Sequence, residues 1–371
     1  MNKLALYCRA GFEKEVAGEI SDKAVELGVY GFTKLKENTG YVIFECYQQG
    51  DADRLAQELP LSELIFVRQM IVVGKLLENL PENDRITPIL EQYLAQQDQG
   101  IDFKKSSDLV VETPDTNEAK ELSKFCRKFT VPLRNTLKKQ GWLHSGSKRQ
   151  NSITLQVLFV GSGCCYVGYA YNDNRSSNPM GIMRLKFPME APSRSTLKLE
   201  EAILTFIPKS EESWHFNENV KAVDLGACTG GWTYQLVKRD VFVYCVDHGK
   251  MADSLHNTGR IDHCPEDGFK FKPPKRTTID LLVCDMVEQP MRISELITKW
   301  FVNGWCKESI FNLKLPMKKR YQEVQRCLNF ITETLTKKGF QFTIQAKHLY
   351  HDREEITVFI KVKKQFGSGE M

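Results

Sequence analysis

The sequence predicts an α/β protein: an open, doubly wound sheet over residues 193–371, preceded by an α+β region over residues 1–171. Three observations predict it. After residue 193, short and nearly continuous apolar runs alternate with helical patterns, as parallel strands covered on both faces require. Before residue 171, strand and helix patterns also alternate, but they include a hairpin. Between them "NDNRSSNPMGIMRLKFPMEAP" is polar, holds three prolines and has little periodicity, so residues 172–192 read as a linker.

In the first region "LALYC" reads as a strand and "FEKEVAGEISDKAVEL" as an amphipathic helix with Val16, Ile20 and Val25 facing inward. "TGYVIFECY" is a strand, "DADRLAQEL" a helix and "LIFVRQMIVVGKL" strand-like. "NDRITPILEQYLAQQ" reads as helical, "SDLVVETPD" as extended, "NEAKELSKFCRKFTVPLRNTLKKQG" as helical and "SITLQVLFVGSGCCYVGYAY" as a hairpin. Beyond the linker come the helix "STLKLEEAILTFI", the strand "KAVDL", the helix "GWTYQLVKR" and the strands "VFVYCVD" and "TTIDLLVCD". The helix "MRISELITKWFVNGWC", the strand "SIFNLKL" and the helix "KRYQEVQRCLNFITETLTKKG" follow. "FQFTIQAKHLY" and "EITVFIKVK" close the chain, and they can pair as an antiparallel edge.

The 371 residues suffice for two domains of ordinary size. A net charge of +4 is too small to argue for nucleic acid by itself, so clustering must carry that case. Eleven cysteines, an odd number with no C-x-x-C pair, point to reduced thiols rather than disulfides or a zinc site. No metal is expected. "MNKLALYCRAGFEKEVAGEI" turns charged too soon for a secretory leader, and no run approaches a membrane span. The expectation is a cytoplasmic protein without a membrane partner, and a monomer.

The segment "AVDLGACTGGWTYQLVKRDVFVYCVDHG" has the outline of a nucleotide-cofactor site: strand, glycine turn, helix, strand. The glycines Gly226, Gly230 and Gly231 let backbone approach a ligand where a Cβ would collide. Their spacing is neither G-x-G-x-x-G nor a P-loop. Asp247 closes the next strand about 20 residues after the first glycine, where a carboxylate accepts ribose hydroxyls. Asp267 falls near the end of a further strand and Asp285 ends "LLVCD". In an open α/β sheet such strand ends converge on one crevice. Together the acids favour a cofactor with a ribose, an adenine amine and a positive centre, which is S-adenosylmethionine.

Lys314 ends the apolar run "SIFNLKL", Lys198 stands on the helix entering the domain, and Glu355 lies at the lip of the last strand. With Asp285 they make a Lys–Asp–Lys–Glu set suited to a ribose 2′-hydroxyl, a poor nucleophile that must shed its proton. A free lysine, with a pKa of about 10.4, is too basic to take that proton at neutral pH. A second ammonium and partial burial are expected to lower it, so that one neutral lysine serves as general base.

The strings "APSRSTLKLEEA", "DLGACTGGWTYQLV", "CDMVE", "NLKLPMKKRY" and "LYHDREEITV" closely resemble the RlmM-type bacterial 23S rRNA 2′-O-ribose cytidine methyltransferases. The likeness runs from about Met1 to Lys364 and includes "LYCRAGFEKE", "NTGYVIFECY" and "SKFCRKFTVPLR". The C-terminal half is similar, more broadly, to RrmJ/fibrillarin-like ribose methyltransferases. The resemblance implies a Rossmann-like S-adenosylmethionine-dependent methyltransferase domain over residues 193–371, behind a ferredoxin-like segment and a THUMP RNA-binding domain over residues 1–171. It implies cofactor binding by Ser195, Cys228, Thr229, Gly230, Gly231, Asp247, Asp267 and Asp285. Lys198, Asp285, Lys314 and Glu355 carry over as the catalytic tetrad, with Lys314 as proton acceptor. Glu355 is preferred to Glu354 because it directly precedes the β-branched "ITV" strand. The family turn reads Cys-Pro-Gly-Gly; here Thr229 replaces the proline, so a less rigid turn is expected. The implied substrate is a cytidine in the peptidyl transferase region of 23S rRNA, free or in a large-subunit precursor.

The basic clusters "KFCRKFTVPLRNTLKKQ", "SKRQ" and "KLPMKKR" can neutralise phosphates, or serve only as solvated surface. Nothing in the tetrad encodes which RNA is modified, so a ribose methyltransferase of tRNA or another RNA stands as the alternative. A nicotinamide oxidoreductase is disfavoured by the missing G-x-G-x-x-G. A non-catalytic RNA-binding protein is disfavoured by the intact tetrad.

Overall fold

The computed structural model describes residues 1–103, 106–143 and 152–365, with residues 364 and 365 described by backbone alone. The chain divides into two compact units, Met1–Met183 and Arg184–Met371.

The first unit contains β1 (Lys3–Tyr7), α1 (Glu13–Glu26), β2 (Gly31–Leu35), β3 (Tyr41–Cys46), α2 (Asp51–Glu58) and β4 (Gln69–Val73). Then come α3 (Ile86–Gln97), β5 (Ser106–Glu112), α4 (Lys120–Lys139), β6 (Ile153–Gly161) and β7 (Cys164–Tyr171). All the strands join one seven-stranded sheet of order β2-β3-β1-β4-β7-β6-β5. Its β1–β4 half has the βαββαβ order of a ferredoxin-like fold. The halves meet where β4 pairs antiparallel with β7, Val72 opposite Tyr169 and Val73 opposite Gly168. A Cβ on Gly168 would lie 1.8 Å from the Val72 carbonyl oxygen, so only glycine fits this seam.

Three details differ from the sequence expectation. Val25 is 54% exposed, because the buried stripe of α1 runs Val16, Ile20, Ala24 at a spacing of four. The run from Leu64 to Leu76 forms a strand only over Gln69–Val73. Its first part is turned aside by the buried Glu19 carboxylate, which accepts the Ile65 amide at 2.5 Å and the Phe66 amide at 2.9 Å. The edge strand β2, largely exposed, has no periodicity to betray it. The first half of the expected linker is also tied down within this unit. Asn174 donates to the carbonyls of Ala56 and Leu59, each at 2.8 Å, and the Met180 amide donates to Glu112 Oε1 at 2.7 Å.

The second unit runs α5 (Thr196–Phe206), α6 (Glu212–His215), β8 (Lys221–Leu225), α7 (Gly231–Val237), β9 (Phe242–Val246), α8 (Asp253–His256) and β10 (Ile261–Cys264). It continues with β11 (Ile279–Cys284), α9 (Pro290–Val302), β12 (Cys306–Lys314), α10 (Arg320–Lys337), β13 (Phe340–Lys347) and β14 (Glu355–Gln365). The sheet order is β10-β9-β8-β11-β12-β14-β13, parallel as far as β12. β14 lies between β12 and β13, antiparallel to both, so it is an interior strand and β13 is the edge on that side of the sheet. Leu281, Val283, Val243 and Ile310 pack on one face with Leu199 and Ile203 of α5 and Trp232 and Leu236 of α7. The chain winds outward from β8 in both directions, so the switch point lies between β8 and β11. No described helix is long and apolar enough to cross a membrane.

Burial pushes the Glu112 carboxyl in the first unit up to about 7, the Met180 amide pulling the other way. The folded chain therefore holds this proton more tightly than the unfolded chain. Its contribution to stability is lost as pH rises from the ordinary Glu value of about 4.3 through about 7. Glu112→Gln keeps an acceptor for Met180 and cannot ionise. Denaturant unfolding across this window should show the variant gaining on wild type as pH rises. A difference that stays constant with pH would contradict the buried-acid account.

Candidate active site

The carboxyl ends of the parallel strands carry the candidate residues. Asp285 follows the last residue of β11, Lys314 is the last residue of β12, and Glu355 is the first of β14. Because β14 runs against β12, its first residue lands at the same sheet edge, with Lys314 directly opposite Glu355. Lys198 enters from the first turn of α5.

The four side chains form a closed quartet. Lys198 Nζ lies 3.1 Å from Asp285 Oδ2 and 2.6 Å from Glu355 Oε1. Lys314 Nζ lies 2.5 Å from Asp285 Oδ1 and also contacts Glu355 Oε2. Each ammonium thus bridges both carboxylates, and the quartet is neutral as a whole. Burial alone makes such a cluster costly unless every charge is paired, and here each one is. Glu354 turns the other way: its carboxylate takes Arg320 at 2.5 Å and is 61% exposed, against 7% for Glu355.

The charge state differs from the sequence expectation. Burial pushes the Lys314 ammonium down and is the largest single influence, but Asp285 and Glu355 together outweigh it and leave the pKa raised. The second ammonium that was expected to lower it is itself neutralised by the same carboxylates. The resting Lys314 is an ammonium ion.

The glycine turn is built by the protein's own packing. Gly226 and Gly230 adopt φ values of +78° and +109°. A Cβ on Gly226 would meet Met286 at 2.6 Å and one on Gly230 would meet Leu255 at 2.2 Å. A Cβ on Gly231 would lie 2.1 Å from Ser195 Oγ and 2.3 Å from Ser193 Oγ. The glycines thus make room first for neighbouring side chains. The Cys228–Thr229 peptide is cis.

Asp247 ties this turn to the next strand end: Oδ2 accepts the Cys228 amide at 3.0 Å and Oδ1 the Gly249 amide at 2.8 Å. Ser195 Oγ lies 2.6 Å from Ser193 Oγ, against Gly231. Asp267 stands in its own loop past β10, accepting the Phe269 amide at 2.9 Å. The structure therefore brings Lys198, Asp285, Lys314 and Glu355 into direct contact, and gathers Ser195, Cys228, Thr229, Gly230, Gly231 and Asp247 around one turn. Asp267 makes no recorded bond to either group.

Sequence reasoning passed over two residues. Asp224, 1% exposed in β8, accepts Thr233 Oγ1 at 2.7 Å, and burial pushes its carboxyl up to about 7. Asn312, buried in β12, donates to Asp285 Oδ1 at 3.0 Å. Both are polar residues inside apolar runs, the same signal that singled out Lys314. No cluster of three or more His, Cys, Asp or Glu suited to a metal occurs among the described residues.

Three family models match the chain: "RlmM ferredoxin-like domain" over residues 1–71, "Ribosomal RNA large subunit methyltransferase M, N-terminal" over 84–171, and "FtsJ-like methyltransferase" over 191–368. Among its relatives, Ribosomal RNA large subunit methyltransferase M of Actinobacillus pleuropneumoniae serotype 3 is 73% identical, over 98% of this chain and 99% of that protein. The protein of the same name from Mannheimia succiniciproducens is 68% identical, over 98% of this chain and 100% of its own length. That of Pasteurella multocida is 68% identical over 98% and 99%.

The quartet makes a direct electrostatic prediction. Asp285→Asn removes one of the two carboxylates that hold Lys314 charged, so the Lys314 amine should titrate at lower pH. NMR of the lysine side chain, labelled at Nζ, reads this without any substrate. An unchanged titration would show that Asp285 does not govern the charge on Lys314.

Proposed function

We propose a specific reaction for this chain, which belongs to the Ribosomal RNA large subunit methyltransferase M family: methyl transfer from S-adenosylmethionine to the ribose 2′-hydroxyl of a cytidine in the peptidyl transferase region of 23S rRNA. That the chain is a methyltransferase of large-subunit ribosomal RNA follows from the family. The observation that carries the 2′-hydroxyl reading is the quartet, in which two ammonium groups and two carboxylates meet at the ligand edge of the sheet.

The residues present fit the methyl donor. The Cys228–Gly231 turn, Ser195, Asp247, Asp267 and Asp285 would hold it. Asp247 spends one acceptor position of each oxygen on the Cys228 and Gly249 amides, which leaves one per oxygen for a ribose diol. S-adenosylmethionine supplies an electrophilic methyl group on a cationic sulfur. The quartet is neutral at rest, so a third positive charge at its edge disfavours the Lys314 ammonium by simple Coulomb repulsion. Lys314 would first release its own proton to solvent; as the neutral amine, Nζ then takes the 2′-hydroxyl proton while the oxygen bonds to the methyl carbon and the methyl–sulfur bond breaks, leaving the neutral thioether. Lys198 stays charged and keeps Asp285 and Glu355 in place.

The first unit supplies RNA affinity in this reading. The exposed side of α4 carries Lys124, Arg127, Lys128, Lys138 and Lys139, while Cys126, Leu133 and Leu137 are buried. Arg134 is occupied by Asp108 at 2.6 Å. Of "KLPMKKR", Lys318 and Lys319 are exposed in the segment that follows Lys314, and Arg320 pairs with Glu354. "SKRQ" lies outside the described residues.

Two experiments test the reading. Asp247→Ala should weaken S-adenosylmethionine binding by about 1–3 kcal/mol, the loss expected for hydrogen bonds to a charged acceptor. Calorimetry that found NAD bound tightly and S-adenosylmethionine not at all would overturn the cofactor. Lys314→Arg keeps the charge but cannot accept a proton at neutral pH. Its methylation of 23S rRNA, mapped by alkaline resistance, should fall by about two to four powers of ten at unchanged cofactor affinity. Near-normal turnover would make Lys314 an electrostatic anchor rather than the base.

A further inference from the structure

Behind the quartet lies a second row of polar groups that methyl transfer by the four charged residues does not use. The β12–β14 register that sets Lys314 opposite Glu355 also sets Asn312 opposite Thr357, two residues further into the sheet. Asn312 Nδ2 donates to Asp285 Oδ1 at 3.0 Å, the same oxygen that Lys314 holds. Asn312 Oδ1 accepts the Thr357 hydroxyl at 2.8 Å. Thr357 Oγ1 lies 3.1 and 3.0 Å from the two oxygens of Asp352, whose Oδ2 accepts the Leu349 amide at 3.0 Å. Asn312, Thr357 and Asp352 are each 0% exposed.

We propose that Thr357, anchored on Asp352, locks the Asn312 amide in one orientation, and that Asn312 thereby positions the Asp285 carboxylate for proton transfer at Lys314. The proposal rests on the 2′-hydroxyl reading of the site. A hydroxyl has one proton to give, and Thr357 faces two acceptors. Burial, with Glu355 and Glu201 nearby, pushes the Asp352 carboxyl well above its ordinary range. The Asp285 carboxylate only accepts, so it takes the Asn312 NH2 and leaves Asn312 Oδ1 facing Thr357, whose hydroxyl donates to it. With its oxygen so occupied, Asn312 can turn only its NH2 toward Asp285. A flipped amide would set its carbonyl against a carboxylate and its NH2 against a donor. Fold stability gains little from this row, since apolar residues of equal volume would fill the same space without desolvating polar groups. What the row supplies is direction. Asp285 Oδ1 receives Lys314 and Asn312 from fixed places, and its carboxylate plane is held while Lys314 changes charge.

Thr357→Val is close to isosteric and removes the hydroxyl; Thr357→Ser restores it. Two readouts apply to the full chain: kcat and KM for methyl transfer to 23S rRNA, and the side-chain amide signals of Asn312 in protein labelled at asparagine. We expect kcat of the valine variant to fall between about 10- and 100-fold, the range for a positioning group. Both KM values should stay within about twofold of wild type, because the row touches neither substrate. The Asn312 signals should shift, and serine should recover both signals and rate. Wild-type kcat in Thr357→Val, or a serine variant as slow as the valine one, would overturn the proposal. Unshifted Asn312 signals in the valine variant would overturn it as well. A wild-type protein with no transfer to 23S rRNA would instead sink the reading of the reaction, while the amide signals still decide whether Thr357 orients Asn312.

Discussion

The antiparallel placement of β14 beside β12 is the constraint on which the second unit depends. A parallel strand would bring its last residue to the ligand edge; an antiparallel one brings its first. Glu355 therefore meets Lys314 at the end of a strand that begins where the others finish. The same register stacks Asn312 on Thr357 behind them. One strand direction thus delivers two rows: the charged one is completed by Lys198 of α5 and by Asp285 just past β11, and Asn312 of the second row bonds the same Asp285. The charges balance within the quartet, which is why four ionised side chains can sit at a largely enclosed place without unfolding it.

The glycine turn shows how a ligand motif and a packing motif coincide. Each of Gly226, Gly230 and Gly231 is forced to be small by an atom of the protein itself, from Met286, Leu255 and Ser195. Asp247 then fastens the turn to the end of β9 through two backbone amides. A substitution at these glycines would act through the fold before it acted through a ligand. Loss of activity at Gly231 would therefore say little about binding.

Much of this was legible in the sequence. Alternation of apolar runs and helical patterns gave the doubly wound sheet, because strands covered on both faces have no polar side to hide them. Lys314 was legible as a charge inside an apolar run and Asp285 as the acid that ends one. Lys198 and Glu355 were named by their places on the entering helix and at the lip of the last strand, and joined to the other two as a tetrad through the family resemblance. What escaped notice depends on long-range partners. The strand β2 is an exposed edge and has no pattern of its own. The stretch from Leu64 to Arg68 looks like a strand until Glu19, far away in the chain, takes its amides. The interior place of β14 and the resting charge of Lys314 follow from which side chains meet, not from what they are. Asn312 was missed because a buried amide reads as one odd residue until its neighbours across the strand are known.

The seam at Gly168 joins the two segments that separate family models cover, residues 1–71 and 84–171. They are matched separately yet share one sheet, since β4 and β7 pair directly with one another. Separating them would leave two raw sheet margins, each an invitation to foreign strands. A change at this seam therefore acts on both halves at once: a side chain in place of Gly168 would press on the Val72 carbonyl and part the two strands that make one sheet of them.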